Sequence, residues 1–269
     1  MSTGSSVPSL APRPAAPKPR AKNVIAVASG KGGVGKTWFS ISLTHALTRA
    51  GQRTLLFDGD LGLANVDIQL GLMPKHDLGA VVTGRLTLNQ AAVNFPEGGF
   101  DVIAGRSGSG SLANIPLSRL QILADDLVLL AGGYDRVVLD LGAGVEKTVR
   151  ALANQAGTVL VVTTDEPTSL TDAYAFIKLS NAAGHGGNIR IVVNMTGSEK
   201  EGEGTYNTIL KACKNFLKLS PPLLGIIRQD KKVREAIRAQ TPFLTRSPNS
   251  ETAEDIEKVA ARVVSEILI

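Results

Sequence analysis

Residues 30 to 37 read GKGGVGKT and meet the spacing G-x-x-x-x-G-K-[ST], a pattern whose chemistry is phosphate binding. Gly30, Gly32, Gly33 and Gly35 let the backbone turn its N–H groups inward as an anion nest, with Val34 the only apolar side chain among them. A helix starting at the end of the motif aims its positive dipole end at the same point. Lys36 is then placed to pair with the β- and γ-phosphates of a nucleotide, and the Thr37 hydroxyl to ligate Mg²⁺. Lys31 is one lysine more than this chemistry requires.

Hydrolysis at such a site needs carboxylates, and two apolar runs end in them. TLLFDGDLG places Asp58 and Asp60 at and just past one run, and RVVLDLGAG places Asp140 at the end of another. Asp140 reads as the Walker B acid, holding the metal directly or through water. Asp60, followed within two residues by a glycine, is the candidate for orienting the attacking water, and Asp58 for supporting the metal from behind its direct ligands. An Asp after a strand is also a common turn or cap residue. Three of them in chain order after a phosphate loop favour the catalytic reading.

These residues need a scaffold that brings strand ends together. From residue 24 onward, short Val/Ile/Leu runs alternate with longer amphipathic segments, the signature of parallel strands covered by helices. Strands are predicted at 24–28, 54–58, 100–105, 135–140, 158–164, 189–194 and 223–227. Helices are predicted at 37–50, 116–131, 146–154, 168–183, 204–217, 230–239 and 250–268, with short helical turns at 65–71 and 87–94. The expected fold is a doubly wound α/β architecture of three layers, a mostly parallel twisted sheet flanked by helices, with ligands at the carboxyl ends of the strands. The expected division is a basic, Pro-rich tail over 1–23 and one ATPase domain over 24–269.

Composition narrows the class. With 269 residues, 43% of them hydrophobic, the chain is long enough for a substantial single core. No apolar run reaches the length of a membrane span and no compact apolar leader opens the chain, so a cytoplasmic protein is expected. A single cysteine, Cys213, leaves no pair for a disulfide, zinc or an iron–sulfur cluster, and this sets aside cluster-carrying ATPases. Arg13, Lys18, Arg20 and Lys22 supply four of the net +5 charges, and five of the thirteen prolines sit in the same acid-free stretch. That stretch holds too few large apolar side chains to offset the entropy of ordering. His45, His76 and His185 are scattered without ligand spacing and receive no role.

The chain resembles the MinD/ParA family of dimerising ATPases. KGGVGKT with its extra lysine, DGDLGLANVD and VVLDLGAGV are similar to that family's deviant Walker A and two switch segments. The likeness is nearest to its FlhG/FleN branch of flagellar-number regulators, carried by GRSGSGSLAN, VVTTDEPTSLTDAYAFIKLS and LLGIIRQDKKVREAIRAQTPFLTRSPNS. The resemblance implies that the protein binds and slowly hydrolyses ATP to ADP with Mg²⁺. It also implies that Lys31 reaches across an ATP-bound homodimer to the partner's phosphates, a shared neutralisation that charge chemistry makes reasonable. It places Asn194 before the adenine, with Arg228, Gln229 and Asp230 flanking the ring. Trp38, where the family more often has a small residue, is counted with the nucleotide contacts and doubles as a fluorescence reporter. The implied partner is a flagellar protein, either an assembly GTPase or a transcriptional activator, with recruitment to a cell pole or membrane. The alternative is a MinD-like or ParA-like positioning or partitioning ATPase acting on membrane or DNA.

Charge argues against direct membrane binding by the last helix. Glu251, Glu254, Asp255, Glu257 and Glu266 outnumber Lys258 and Arg262, the wrong sign for an anionic bilayer. Lys211, Lys214 and Lys218 share a helix face, and Lys231, Lys232, Arg234 and Arg238 follow shortly after, but such lysines more often solubilise a helix than bind DNA.

Overall fold

The computed structural model describes residues 20–105 and 115–267. Most of the Pro-rich tail, and GRSGSGSLAN beyond its first glycine, lie outside the described residues. The chain opens with β1 (Ala21–Ser29), α1 (Lys36–Arg49), β2 (Thr54–Gly59) and three short helices, α2 (Val66–Leu70), α3 (Leu78–Val82) and α4 (Leu88–Ala91). A hairpin of β3 (Val93–Phe95) and β4 (Phe100–Ile103) leads to α5 (Leu117–Ala131), β5 (Arg136–Ala143), α6 (Lys147–Ala153), β6 (Ala156–Thr163) and α7 (Pro167–Ala182). A 3₁₀ turn (Gly186–Asn188) precedes β7 (Ile189–Thr196), α8 (Glu199–Ala212) and a π turn (Cys213–Leu217). The final part is β8 (Leu223–Arg228), α9 (Lys231–Arg238), α10 (Phe243–Arg246) and α11 (Glu251–Glu266).

The eight strands form one sheet in the order β3-β4-β2-β5-β1-β6-β7-β8, parallel throughout except for the β3–β4 pair. This is the expected mostly parallel, helix-flanked sheet. Alternation along β1 divides the interior: Val24, Ala26 and Ala28 join a core with Leu120, Val149 and Phe176, and Ile25 and Val27 join another with Phe39, Leu43 and Ile256. Because the chain moves from β1 past β5 to β2 on one side, and later from β5 across to β6 on the other, the strand order reverses at β1. The carboxyl ends of β1, β2 and β5 therefore open into one crevice.

Four local expectations need correction. The strand at the N-terminus begins at Ala21, inside the stretch assigned to the tail, because Ala21 N–H donates to Gln155 O at 3.1 Å and pairs with Ala156. Residues 93 and 94 were expected in a helical turn but leave it after Ala91 to pair antiparallel with β4, a three-residue edge too short to show a period. Helix α8 starts at Glu199, well before 204, because Ser198 caps it by accepting from Glu201 N–H; the S-x-x-E cap signal outweighs the glycines that follow. The end of that predicted helix, from Cys213, is a π turn. Among the described residues no helix is long and apolar enough to cross a membrane.

Candidate nucleotide-binding site

The β1–α1 connection is the phosphate loop. Gly33 and Gly35 adopt φ of 84° and 81°, conformations costly for a residue with a Cβ. Gly35 is doubly constrained, since a Cβ there would lie 2.5 Å from Asn194 Nδ2. The loop borders a cavity of about 370 Å³ that Lys31 to Trp38, Asp60, Asn65, Gln69 and Ile237 help to line. The N-terminus of the fourteen-residue α1 opens onto this loop, with Gly35 at the cap and no side chain competing for its free N–H groups.

Two of the acids predicted from sequence, Asp58 and Asp140, pair at strand ends beside this loop. Strands β2 and β5 pair in a register that sets Asp58 opposite Asp140, and both carboxylates are about 1% exposed. Asp140 Oδ1 accepts from Lys36 Nζ at 3.3 Å and from Ser40 Oγ at 2.9 Å. Lys36 and Ser40 are one helical turn apart on α1, so both side chains reach the same strand end. Asp58 Oδ1 accepts from Asp60 N–H, and Oδ2 from Asn65 and Val66 N–H, each at 3.2 Å. Burial, and then the charge of Asp140, push the Asp58 carboxyl up to about 7, against the opposing pull of its backbone donors. Asp58 is thereby placed as the anchor of the loop after β2, behind the cavity wall.

Asp60 reaches the cavity itself. Its Oδ1 accepts from Leu63 N–H at 2.9 Å and Gly62 N–H at 3.3 Å, which folds the segment after β2 around the carboxylate. Thr37 lines the cavity beside the loop. No group of three or more His, Cys, Asp or Glu side chains converges as a metal cage among the described residues. The donor set of Thr37 with Asp140, backed by Asp58, matches the alternative arrangement for Mg²⁺, in which one or two protein oxygens share the ion with substrate phosphates and water.

Lys31 is held within its own chain. Its Nζ donates to Glu166 Oε2 at 2.6 Å and to Thr168 Oγ1 at 3.0 Å, at the start of α7. Neither partner was picked out from the sequence; their position just past the carboxyl end of β6 was the available signal. Ser40 was missed as well, although its i+4 spacing from Lys36 pointed to it.

The residues expected around the adenine are distributed differently. Asn194 is 2% exposed and braces the phosphate loop from behind, Nδ2 donating to Val34 O at 2.8 Å. The Arg228 guanidinium, expected to flank the ring, is paired with α11, with Asp255 at 2.9 Å and Glu251 at 2.8 Å. Those charge-assisted bonds hold its pKa above the ordinary arginine value. Asp230 caps α9 by accepting from Lys232 N–H, and Gln229 N–H is bonded to Thr196 O, leaving the main chain of this segment and the Gln229 side chain as what can face a ligand. Trp38 packs edge-on against Phe243 with ring centroids 5.4 Å apart, and its Nε1 has no hydrogen-bond partner among the described residues.

Comparison with known proteins agrees with this geometry. Residues 25–243 match the model of the CobQ/CobB/MinD/ParA nucleotide binding domain. The chain is 38% identical to the antiactivator FleN of Pseudomonas aeruginosa, over 90% of this chain and 86% of that protein. It is 32% identical to the flagellum site-determining protein YlxH of Helicobacter pylori, over 90% and 82% respectively. The structure of the septum site-determining protein MinD of Pyrococcus horikoshii, complexed with Mg-ADP, superposes with a TM-score of 0.78 at 26% identity, covering 91% of this chain and 98% of that one. The chain belongs to the CobQ/CobB/MinD/ParA family of nucleotide-binding domains.

Proposed function

We propose that this chain is a Mg²⁺-dependent, slow ATPase that dimerises when ATP-loaded and uses that switch to restrain flagellar number or placement through a protein partner. The observation that carries the ATPase reading is the convergence of Lys36, Ser40 and Asp140 at the base of the glycine loop, with Asp60 lining the same cavity. The flagellar role is supported by the likeness to the flagellum site-determining protein YlxH, and a regulatory role by the likeness to the antiactivator FleN.

The residues divide the work. The N–H groups of the glycine loop and Lys36 hold the phosphates, while Thr37 and Asp140 hold Mg²⁺, with Asp58 fixing the following loop behind them. Bound Mg²⁺ supplies charge neutralisation at the phosphate oxygens. Asp60, tied to the Gly62 and Leu63 amides, orients the attacking water. Lys31 leaves Glu166 and Thr168 to neutralise the phosphates of the partner subunit's nucleotide. Asn194 sets the loop's position and, with the main chain of 228–230, borders the base.

Trp38 sits in the loop cavity wall, so its fluorescence reports nucleotide binding. Lys36→Ala is expected to abolish nucleotide-induced quenching, and an unchanged signal overturns the site. Loss of the chain in its own cells is expected to change flagellar number; an unaltered count with intact ATPase activity overturns the flagellar assignment. Pelleting with anionic vesicles or duplex DNA that depends on ATP would favour a positioning or partitioning role.

A further inference from the structure

At the opposite end of the sheet from the glycine loop, a second cavity of about 220 Å³ opens at the start of β6 and β7. Lys22, Thr158, Asn188, Arg190 and Glu266 provide its polar lining. All but Glu266 bring N–H or O–H donors, those of Lys22 and Arg190 from cationic side chains. Among the described residues neither cation has an ion-pair or hydrogen-bond partner, Glu266 included.

A third cation stands behind the wall. Arg136 at the start of β5 is 2% exposed, and its Nη2 donates at 2.9 Å to the carbonyl of Ile267, a residue of the same cavity. Among the described residues its Nε and Nη1 have no hydrogen-bond partner. A buried guanidinium with two unsatisfied donors and no carboxylate bonded to it, its charge offset only in part by Asp135, is stabilised by an approaching anion. Gly157 allows β1 and β6 to run close at this edge of the cavity, where a Cβ would lie 2.6 Å from the Lys22 main chain.

We propose that this cavity binds a phosphate group, independently of the nucleotide. The guanidinium fork of Arg190 suits two oxygens of a phosphate and the Lys22 ammonium supplies a second charge. Thr158 and Asn188 add neutral donors, and Arg136 adds field from behind. Lys22, Arg190 and the nearby Arg136 exceed Glu266 by two charges, which matches a dianion better than a single carboxylate. Inorganic phosphate and the phosphate of a lipid headgroup share this chemistry, and the test separates them.

The protein is first saturated with ADP and Mg²⁺, and its amide spectrum is then followed as inorganic phosphate is added. The proposal expects saturable shifts at Gly157, Gly187 and Asn188 that vanish in the Lys22→Gln/Arg190→Gln variant, with the Trp38 response to ADP unchanged. In the parallel arm, pelleting with phosphatidic acid vesicles but not phosphatidylcholine vesicles, lost in the same variant, assigns the phosphate to a lipid. Absence of both effects, or identical effects in the variant, overturns the site. Because the shifts are read residue by residue, phosphate entering an empty glycine loop is seen at Gly33 and Gly35 and cannot be mistaken for it.

Discussion

Lys31 Nζ lies 2.6 Å from Glu166 Oε2, so the lysine assigned to a partner's phosphates is paired inside its own chain. Both side chains are substantially exposed, 38% and 62%, and an exposed pair of this kind contributes about 0.2–1 kcal/mol. Freeing Lys31 with Glu166→Gln is therefore expected to lower the ATP concentration needed for dimerisation by up to about fivefold. Lys31→Ala is expected to remove dimerisation while leaving nucleotide quenching of Trp38 in place. Titration by light scattering checks both, and a Lys31→Ala chain that still dimerises with ATP contradicts the role of that lysine.

Asp60 both shapes a loop and faces the cavity, and two substitutions separate those roles. Asp60→Asn keeps an oxygen for the Leu63 and Gly62 amides, whereas Asp60→Ala removes it. Both are expected to lower turnover at least about a hundredfold, the scale of a lost general base or water-orienting group. Both should retain ATP, with Asp60→Asn the more stable in urea. Phosphate release near the wild-type rate in Asp60→Asn would show that only the loop contact matters.

The Asp58 carboxyl, at about 7 when folded against 3.8 as the ordinary value, makes stability depend on pH. Between those values the folded chain holds a proton that the unfolded chain has released. The contribution of this group is thus fully present below about pH 4 and falls as pH rises towards 7, beyond which it stays level, a change of a few kcal/mol at most. Asp58→Asn is expected to flatten this part of the urea-midpoint profile measured without nucleotide. The same slope in wild type and variant would place the titration elsewhere.

Arg228 joins β8 to α11 through Asp255 and Glu251, away from the glycine loop. Arg228→Ala is expected to destabilise the chain by about 1–3 kcal/mol, the scale of a hydrogen-bonded charge left with one partner. Nucleotide affinity should change by less than about threefold. A large loss of affinity without a loss of stability would return this side chain to the adenine pocket.

What was legible in the sequence followed from local chemistry on strong periodic elements. The glycine loop, Lys36 and the three acids could be read because each lies where a strand ends, and parallel pairing in register then brings Asp58 beside Asp140. The contacts of Glu166 with Lys31 and of Asp255 with Arg228 were not legible. They join residues 135 and 27 positions apart, and only the completed winding of the sheet puts them together. The edge strand β3 was lost for another reason, its three residues being held by pairing with β4 rather than by a pattern of their own.

The proposed switch requires that a triphosphate join two copies of this chain and that its hydrolysis product leave them apart. Molar mass by light scattering, with Mg²⁺ and either a non-hydrolysable ATP analogue or ADP, tests this most directly. Twice the chain mass is expected with the analogue and the single-chain mass with ADP. A single-chain mass in both, with the analogue bound to saturation, would contradict it.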